Sequence, residues 1–440
     1  MFPFKKRLSL GTLSRGSLWL EFQLNNAYLL RWLVLALVVG VLAGSASALF
    51  LWLLDWATAF RETHLWIIAF LPVAGFLIGW LYHRWGKEAE AGNNAVLRAI
   101  QQPAATQVPL IMAPLVLVAT ILTHLVGGSA GREGTAAQMG GALADQVARL
   151  FRLRPRYRQL LLICGLSAGF SSVFGTPLAG AIFGVEVFLL GHLRYQALLP
   201  SLLAALIAHV VTTAWGIEHT LFPVVEGPTL TGWTLGATLL AGICFGLAAR
   251  LFSWATQAVS HTFKTTIAYP PLRPVVGGVL LVLVVWGLGT TKYIGLGIPT
   301  IEQAFVSGLP PYDFLLKLAL TALTLGCGFK GGEVTPLFFI GATLGNALFP
   351  WFPLPLEVFV ALGFVAVFAG ASNTPLACSL MAMELFGAGI GVYAALACGV
   401  AYLFSGHSGI YGAQVVATSK NPYYAREAGT RLAERKRRFL

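Results

Sequence analysis

Two glutamates stand in stretches that are otherwise apolar and glycine-rich. Glu133 sits in GGSAGREG (127–134), and Glu333 sits in FKGGEVT (329–335). A carboxylate at membrane depth is costly and marks function by default. The glycines beside each one leave room for a ligand or for backbone movement. A carboxylate at a helix start can occupy the place that a permeating anion would take, and protonating it vacates that place. Anion and proton then share one residue. Structural readings compete with this one. Glu133 can pair with Arg132 or cap a helix, and Glu333 can cap a helix or pair with Lys330. Thr335 offers a hydroxyl to an anion or a carboxylate, or caps a helix. Asn93 and Asn94, after Gly92, offer amide donors or a turn. Tyr411, in SGHSGIYGAQ, offers a phenol or serves as a packing residue.

Other chemistries find no set of residues. The five cysteines (164, 244, 327, 378, 398) contain no Cys-x-x-Cys pair, and the eight histidines have no ligand spacing, so no metal and no cofactor is expected. No Gly-Lys-Ser/Thr follows the glycine-rich turns, which excludes a P-loop. An intramembrane enzyme using Glu133 and Glu333 as paired carboxylates lacks an accompanying nucleophile.

The elements that must position these residues are membrane helices. The chain has 440 residues, 57% hydrophobic and 10% charged, against about a quarter charged in soluble domains. Stretches 28–57, 63–82, 107–126, 195–216, 231–258 and 272–290 reach the roughly 20 apolar residues of a bilayer crossing. The net charge of +12 reads as topology and not as nucleic-acid binding. Lys5, Lys6 and Arg7 at one end, and Lys420, Arg426, Arg431 and Arg435–Arg438 at the other, place both termini in the cytoplasm, with Arg149, Arg152, Arg154, Arg156 and Arg158 on the same side. No cleavable signal peptide is expected, and residues 8–26 are expected to form an amphipathic surface helix.

The chain also repeats itself. GREGT at 131–135 matches GGEVT at 331–335, and Thr-Pro-Leu-Ala recurs at 176–179 and 374–377, followed at equal distance by Glu186 and Glu384. Both matches have an offset of about 200 residues. The basic loop 149–158 corresponds to FPWFPLPLEV (349–358), which has no Lys or Arg, so the two halves are expected to be inverted. Inverted repeats aim broken helices at a shared site, where free amides and helix dipoles form an anion site. Breaks are expected at 127–134 and 329–335, each before a stretch too short to cross comfortably, and at 90–94 and 295–300. Glu186 and Glu384 are expected to satisfy broken-helix amides.

GREG, the GGEVTP segment and the paired Thr-Pro-Leu-Ala segments resemble the CLC family of chloride channels and anion/proton antiporters, over about residues 30–420. The resemblance implies an all-α membrane protein with the CLC fold: an inverted-topology repeat of two halves with many tilted and re-entrant helices. It further implies a homodimer with one pore per subunit, and a gating role for Glu133. Chloride-type members have Gly-Ser-Gly-Ile-Pro where this chain has Gly92–Val96, GREGP where it has Thr135, and a Gly-x-Phe-x-Pro pattern where it has Glu333 and Thr335. Chloride/proton exchangers carry an internal glutamate where it has Val187. All four departures resemble the fluoride/proton antiporter branch, which implies proton carriage by Glu133 and coupling by Glu333. Tyr411 aligns with the family's central tyrosine, at the opening of a last short helix. The implied anion contacts are Asn93, Asn94, Gly134, Thr135, Val334, Thr335 and Tyr411. Fluoride is strongly hydrated, and stripping its water demands close donors.

The expectation is therefore a bacterial inner-membrane transporter that exports fluoride in exchange for protons, gated by a rotating glutamate. A chloride-selective or broad-anion member of the family is the alternative. The expected segments are 1–27 (cytoplasmic or amphipathic), 28–216 and 231–419 (the two repeats) and 420–440 (a basic cytoplasmic tail), with no separate soluble domain.

Overall fold

The computed structural model describes residues 15–352 and 354–434. Among these, sixteen α-helices divide eight and eight. The first half holds α1 (Arg15–Thr63), α2 (Leu71–Trp85), α3 (Asn93–Gln101), α4 (Met112–Leu125), α5 (Glu133–Leu150), α6 (Pro155–Phe174), α7 (Pro177–Glu186) and α8 (Leu198–Ala214). The second half repeats the order with α9 (Gly232–Thr266), α10 (Leu272–Leu288), α11 (Ile298–Ala304), α12 (Asp313–Cys327), α13 (Val334–Leu348), α14 (Leu356–Ser372), α15 (Pro375–Phe386) and α16 (Gly391–Phe404). Lengths correspond pair by pair: 15 and 17 residues for α2 and α10, 9 and 7 for α3 and α11, 14 and 15 for α4 and α12. Packing corresponds too. α5 lies on α6 as α13 lies on α14, and α1 lies on α8 as α9 lies on α16.

Glycine makes the tightest of these contacts possible in both halves. A Cβ on Gly165 would stand 2.4 Å from the Gly140 carbonyl oxygen, and one on Gly363 would stand 2.1 Å from that of Gly341. Small residues let helix backbones approach where lipid removes any hydrophobic drive to associate. The halves join through α2 on α10 and α7 on α15. At the second contact the Glu186 carboxylate accepts from the Leu376 and Ala377 amides (3.1 and 2.9 Å). Glu384 accepts from those of Leu178 and Ala179 (2.9 and 2.7 Å). Each glutamate thus closes the free N-terminus of the other half's helix, as expected for broken-helix amides. The exchange is isologous, the mark of a two-fold relation, and it agrees with an inverted repeat. A short parallel pair, β1 (Leu189–Leu190) with β2 (Val415–Val416), ties the end of the chain to the first half.

Several expectations are corrected. Residues 15–26 are the opening turns of α1 and not a separate amphipathic helix, while residues 8–14 lie outside the described residues, as do Lys5–Arg7 and Arg435–Arg438. The stretch 107–126 is helical only over the 14 residues of α4, about 21 Å at 1.5 Å per residue and short of a crossing. Among the described residues, five helical segments are long and apolar enough to cross: Gln23–Thr63, Leu65–Trp85, Tyr195–Ala214, Gly232–Thr266 and Val334–Trp351. After the glycine-rich turns, α5 has 18 residues but is not among these segments, and α13, 15 residues long, reaches crossing length only together with the 3-10 turn that follows it, as Val334–Trp351. Part of the basic cluster is structural. Asp145 accepts from Arg149 (2.9 Å), Arg158 (2.6 Å) and the Val108 amide (2.9 Å), and Arg158 also donates to the Thr106 carbonyl, fastening the loop before α4.

Candidate functional site

α5 and α13 begin side by side because the turns that precede them pair. The Gly131 amide donates to the Gly332 carbonyl (2.6 Å) and the Gly332 amide to the Gly131 carbonyl (2.8 Å), an isolated antiparallel bridge. Any Cβ on Gly131 would stand 2.9 Å from both Thr335 Oγ1 and Pro336 Cδ, so glycine is required for this approach. The bridge carries Glu133 across to the other half. Thr335 Oγ1 donates to Glu133 Oε2 and Oε1 (2.7 and 2.9 Å), and the Thr335 amide donates to Oε2 (3.1 Å). The first-half carboxylate therefore occupies the positive end of the second-half helix, where amides and dipole favour an anion. It is fully buried. Its ion pair with Arg132 is long, 3.8 Å from Arg132 Nε, and that nitrogen makes no hydrogen bond.

Glu333 occupies the N-cap of α13 without capping it. It forms no ion pair with Lys330 within 4 Å, and Lys330 instead lies over the Tyr82 ring, 4.3 Å from its centroid. Glu333 leans on the first turn of α5. Its Oε2 is 3.6 Å, and Asn93 Nδ2 3.1 Å, from where a Cβ on Gly134 would stand. Asn93, Gly134 and Glu333 are thus gathered next to Glu133. Asn93 opens α3 behind Gly92, whose φ of +56° favours glycine. Asn93 is buried, and its Oδ1 has no hydrogen-bond partner.

Two further residues have their polar groups engaged elsewhere. Asn94 Oδ1 accepts from the Ala413 amide (2.9 Å), and Thr135 Oγ1 pairs with Thr120 Oγ1 (2.8 Å). Val334 is fully buried at the start of α13. Tyr411 is buried, edge-on to Phe183 with centroids 6.4 Å apart, and makes no hydrogen bond through its hydroxyl among the described residues. It does not open a helix. Residues around it form turns because tertiary partners take their backbone groups. The Ile410 amide donates to Ala371, Gln257 donates to the Gly409 carbonyl (3.2 Å), and the Ala433 amide donates to that of Gly412.

Two small cavities lie on either side of this cluster. One is lined by Arg132, Glu133, Thr335, Phe174, Phe338 and Phe364, together with Thr220, Phe222, Ile298 and Ile301. The other is lined by Asn93, Tyr411, Phe183, Val187, Leu97 and Leu166. They share no lining residue. Sequence reasoning missed the phenylalanines, of which Phe338 and Phe364 stack at 4.1 Å. It also missed Lys317, which is fully buried and donates to the Tyr293 and Gly295 carbonyls (3.2 and 2.7 Å). Lys317 fastens the loop before α11. A single cation in the apolar run 313–327 was its available signal.

Known proteins resemble the chain over most of its length. A family model described as voltage gated chloride channel matches residues 74–406. A chloride/fluoride channel protein of Pseudomonas syringae pv. tomato is 54% identical over 400 residues, covering 90% of this chain and 88% of that protein. The voltage-gated ClC-type chloride channel ClcB of Escherichia coli O157:H7 is 28% identical over 81% of this chain and 91% of its own. Among solved structures, a CLC-type fluoride/proton antiporter superimposes with a TM-score of 0.85 at 38% identity, covering 88% of this chain and 98% of its own. A slow cyanobacterial Cl⁻/H⁺ antiporter superimposes at 0.74 and 20% identity, over 85% and 94%.

Proposed function

We propose that this chain, which belongs to the voltage gated chloride channel family, exports fluoride from bacteria in exchange for protons. One observation carries the reading: the Glu133 carboxylate sits on the Thr335 amide and hydroxyl at the start of α13, the place an anion would take. Protonating Glu133 weakens its hold, because a charge-assisted hydrogen bond is roughly twice as strong as a neutral one. The freed donors then accept fluoride. Asn93, Tyr411 and the amides of Gly134, Thr135 and Val334 supply donors on the inner side. Glu333, which accepts from no other residue among the described residues and lies beside Gly134, receives the proton or admits fluoride as Glu133 swings. Val187 lines the cavity beside Asn93, the inner one on this reading, without a titratable group, so the proton travels on Glu133 itself. The P. syringae relative's name and the fluoride/proton antiporter's fold support the choice of ion. On the same reading the protein is a homodimer of the bacterial inner membrane with cytoplasmic termini. Exposed Leu199, Leu206 and Val210 on α8 offer an apolar face to lipid or to a second subunit.

The test is flux from proteoliposomes. Fluoride should leave much faster than chloride, with proton uptake, and Glu133→Gln should abolish that uptake. The 28% relatives described as chloride channels favour a chloride-selective or broad-anion reading, and chloride leaving faster than fluoride, or as fast, without proton coupling would establish the first or the second.

A further inference from the structure

The loop between α8 and α9 places His219 beside His209 of α8, ring centroids 5.2 Å apart. Three ring nitrogens, His219 Nδ1 and Nε2 and His209 Nδ1, are shielded from solvent and make no hydrogen bond. Buried polar atoms without partners are rare and call for a water, an ion or a functional role. Neighbours of the pair line the cavity beside Glu133, which is the outer cavity on the reading above. Thr220, next in sequence to His219, lines it, and so does Phe174, next to Gly175. The His219 ring abuts Gly175, where a Cβ would come within 2.0 Å of His219 Cδ2. Glycine there, at φ +80°, therefore makes room for an imidazole.

The charged groups around the pair are few. Arg132 faces it from the turn before α5, Asp55 of α1, which packs on α8, interacts in turn with Arg132, and Glu218 adjoins it in the chain. The last turn of α6 (Ser171–Phe174) and Thr176 at the start of α7 carry no charge, and His209 is the one titratable residue in α8. Burial, His209 and Arg132 push His219 down to about 4, so both faces of a neutral ring, one donor and one acceptor, are available at neutral pH. A metal has too few ligands here. No group of three His, Cys, Asp or Glu is gathered among the described residues, and Arg132 opposes a cation.

We propose that His219, backed by His209, is the proton intake relay of the outer mouth, passing protons from the external solution toward Glu133; this rests on the fluoride/proton reading above. External water gives a proton to His209 Nε2, the one ring nitrogen of the pair not shielded from solvent, as His209 Nδ1 releases one to His219 and His219 releases one to water in the outer cavity and so to the Glu133 carboxylate. One proton arrives and one departs, and each ring resets by turning. These histidines are positioning and relay groups, since neither touches the anion.

The experiment uses the full chain in proteoliposomes. Initial proton uptake and fluoride release are recorded against outer pH for wild type, His219→Gln and His209→Gln, with and without imidazole in the outer solution. His219→Gln should slow both fluxes about tenfold at neutral outer pH, less than the ~10²–10⁴ of a direct general acid because water still reaches the mouth. The fluoride-to-proton ratio should stay unchanged. The deficit should shrink as the outer solution is acidified, and external imidazole should restore the rate. His209→Gln should show the same pattern with a smaller deficit. Wild-type rates at every outer pH in His219→Gln would overturn the proposal, and so would a deficit that neither acid nor imidazole relieves. Fluoride release without proton uptake by the wild type would instead refute the functional reading on which the relay rests.

Discussion

At the α7–α15 contact, Glu186 and Glu384 each close two amides of the opposite half's helix. At the α5–α13 contact, Glu133 closes one amide of α13 and takes the hydroxyl of the same residue, Thr335, while its counterpart Glu333 accepts no hydrogen bond from another residue among the described residues. Both pairs descend from the same repeat, and both bring a carboxylate to a broken helix. The first exchange is symmetric and complete, so nothing is gained by moving either partner. The second is half-made. One carboxylate sits on the Thr335 donors at the start of α13, and the other stands beside Gly134 and Asn93. On the proposed reading this asymmetric contact is the one that rearranges during exchange.

Breaking the half-made exchange should cost most. Glu333→Gln removes the second carboxylate, and fluoride efflux should fall on the order of 10²-fold, the scale of losing one preorganised electrostatic group. A wild-type rate would take Glu333 out of the cycle. Thr335→Val deletes the hydroxyl and keeps the amide. A hydrogen bond to a charged group is worth about 1.5–3 kcal/mol, so efflux should change roughly tenfold while proton coupling survives. Loss of coupling together with rate would show that the hydroxyl, and not the carboxylate, carries the proton. The complete exchange should respond in stability alone. Glu186→Gln weakens two caps and should cost about 1–3 kcal/mol, read as a lower melting temperature in detergent with an unchanged fluoride-to-proton ratio. A changed ratio would mean that the symmetric pair is not merely structural. Asn94→Ala, which frees the Ala413 amide, should be the mildest at about 1 kcal/mol, with fluoride affinity intact. A large loss of affinity would restore Asn94 to the anion path.

Much of this was legible in the chain because the repeat writes it twice. The recurrence of Glu133 as Glu333 and of Glu186 as Glu384 announced which carboxylates meet, and the helix caps formed where the Thr-Pro-Leu-Ala segments begin. What stayed hidden depends on contacts across the fold. Nothing local to Thr135 says that Thr120 takes its hydroxyl, and nothing local to Tyr411 says that Ala371, Gln257 and Ala433 hold its neighbours out of a helix. Helix ends were misjudged for the same reason. Hydropathy runs through 107–126 without interruption, but the chain there is fastened by Asp145 and Arg158 until α4 starts at Met112. His209 and His219 looked scattered because ten residues of sequence conceal a ring contact made over Gly175.

The central claim is that one ionisable carboxylate and the anion compete for the start of α13. Its most direct test is uphill movement: proteoliposomes with equal fluoride on both sides and only a proton gradient imposed. Wild-type protein should build a fluoride gradient against the proton flow, and Glu133→Gln should build none under the same gradient. Accumulation of fluoride by Glu133→Gln to the wild-type level would contradict the account.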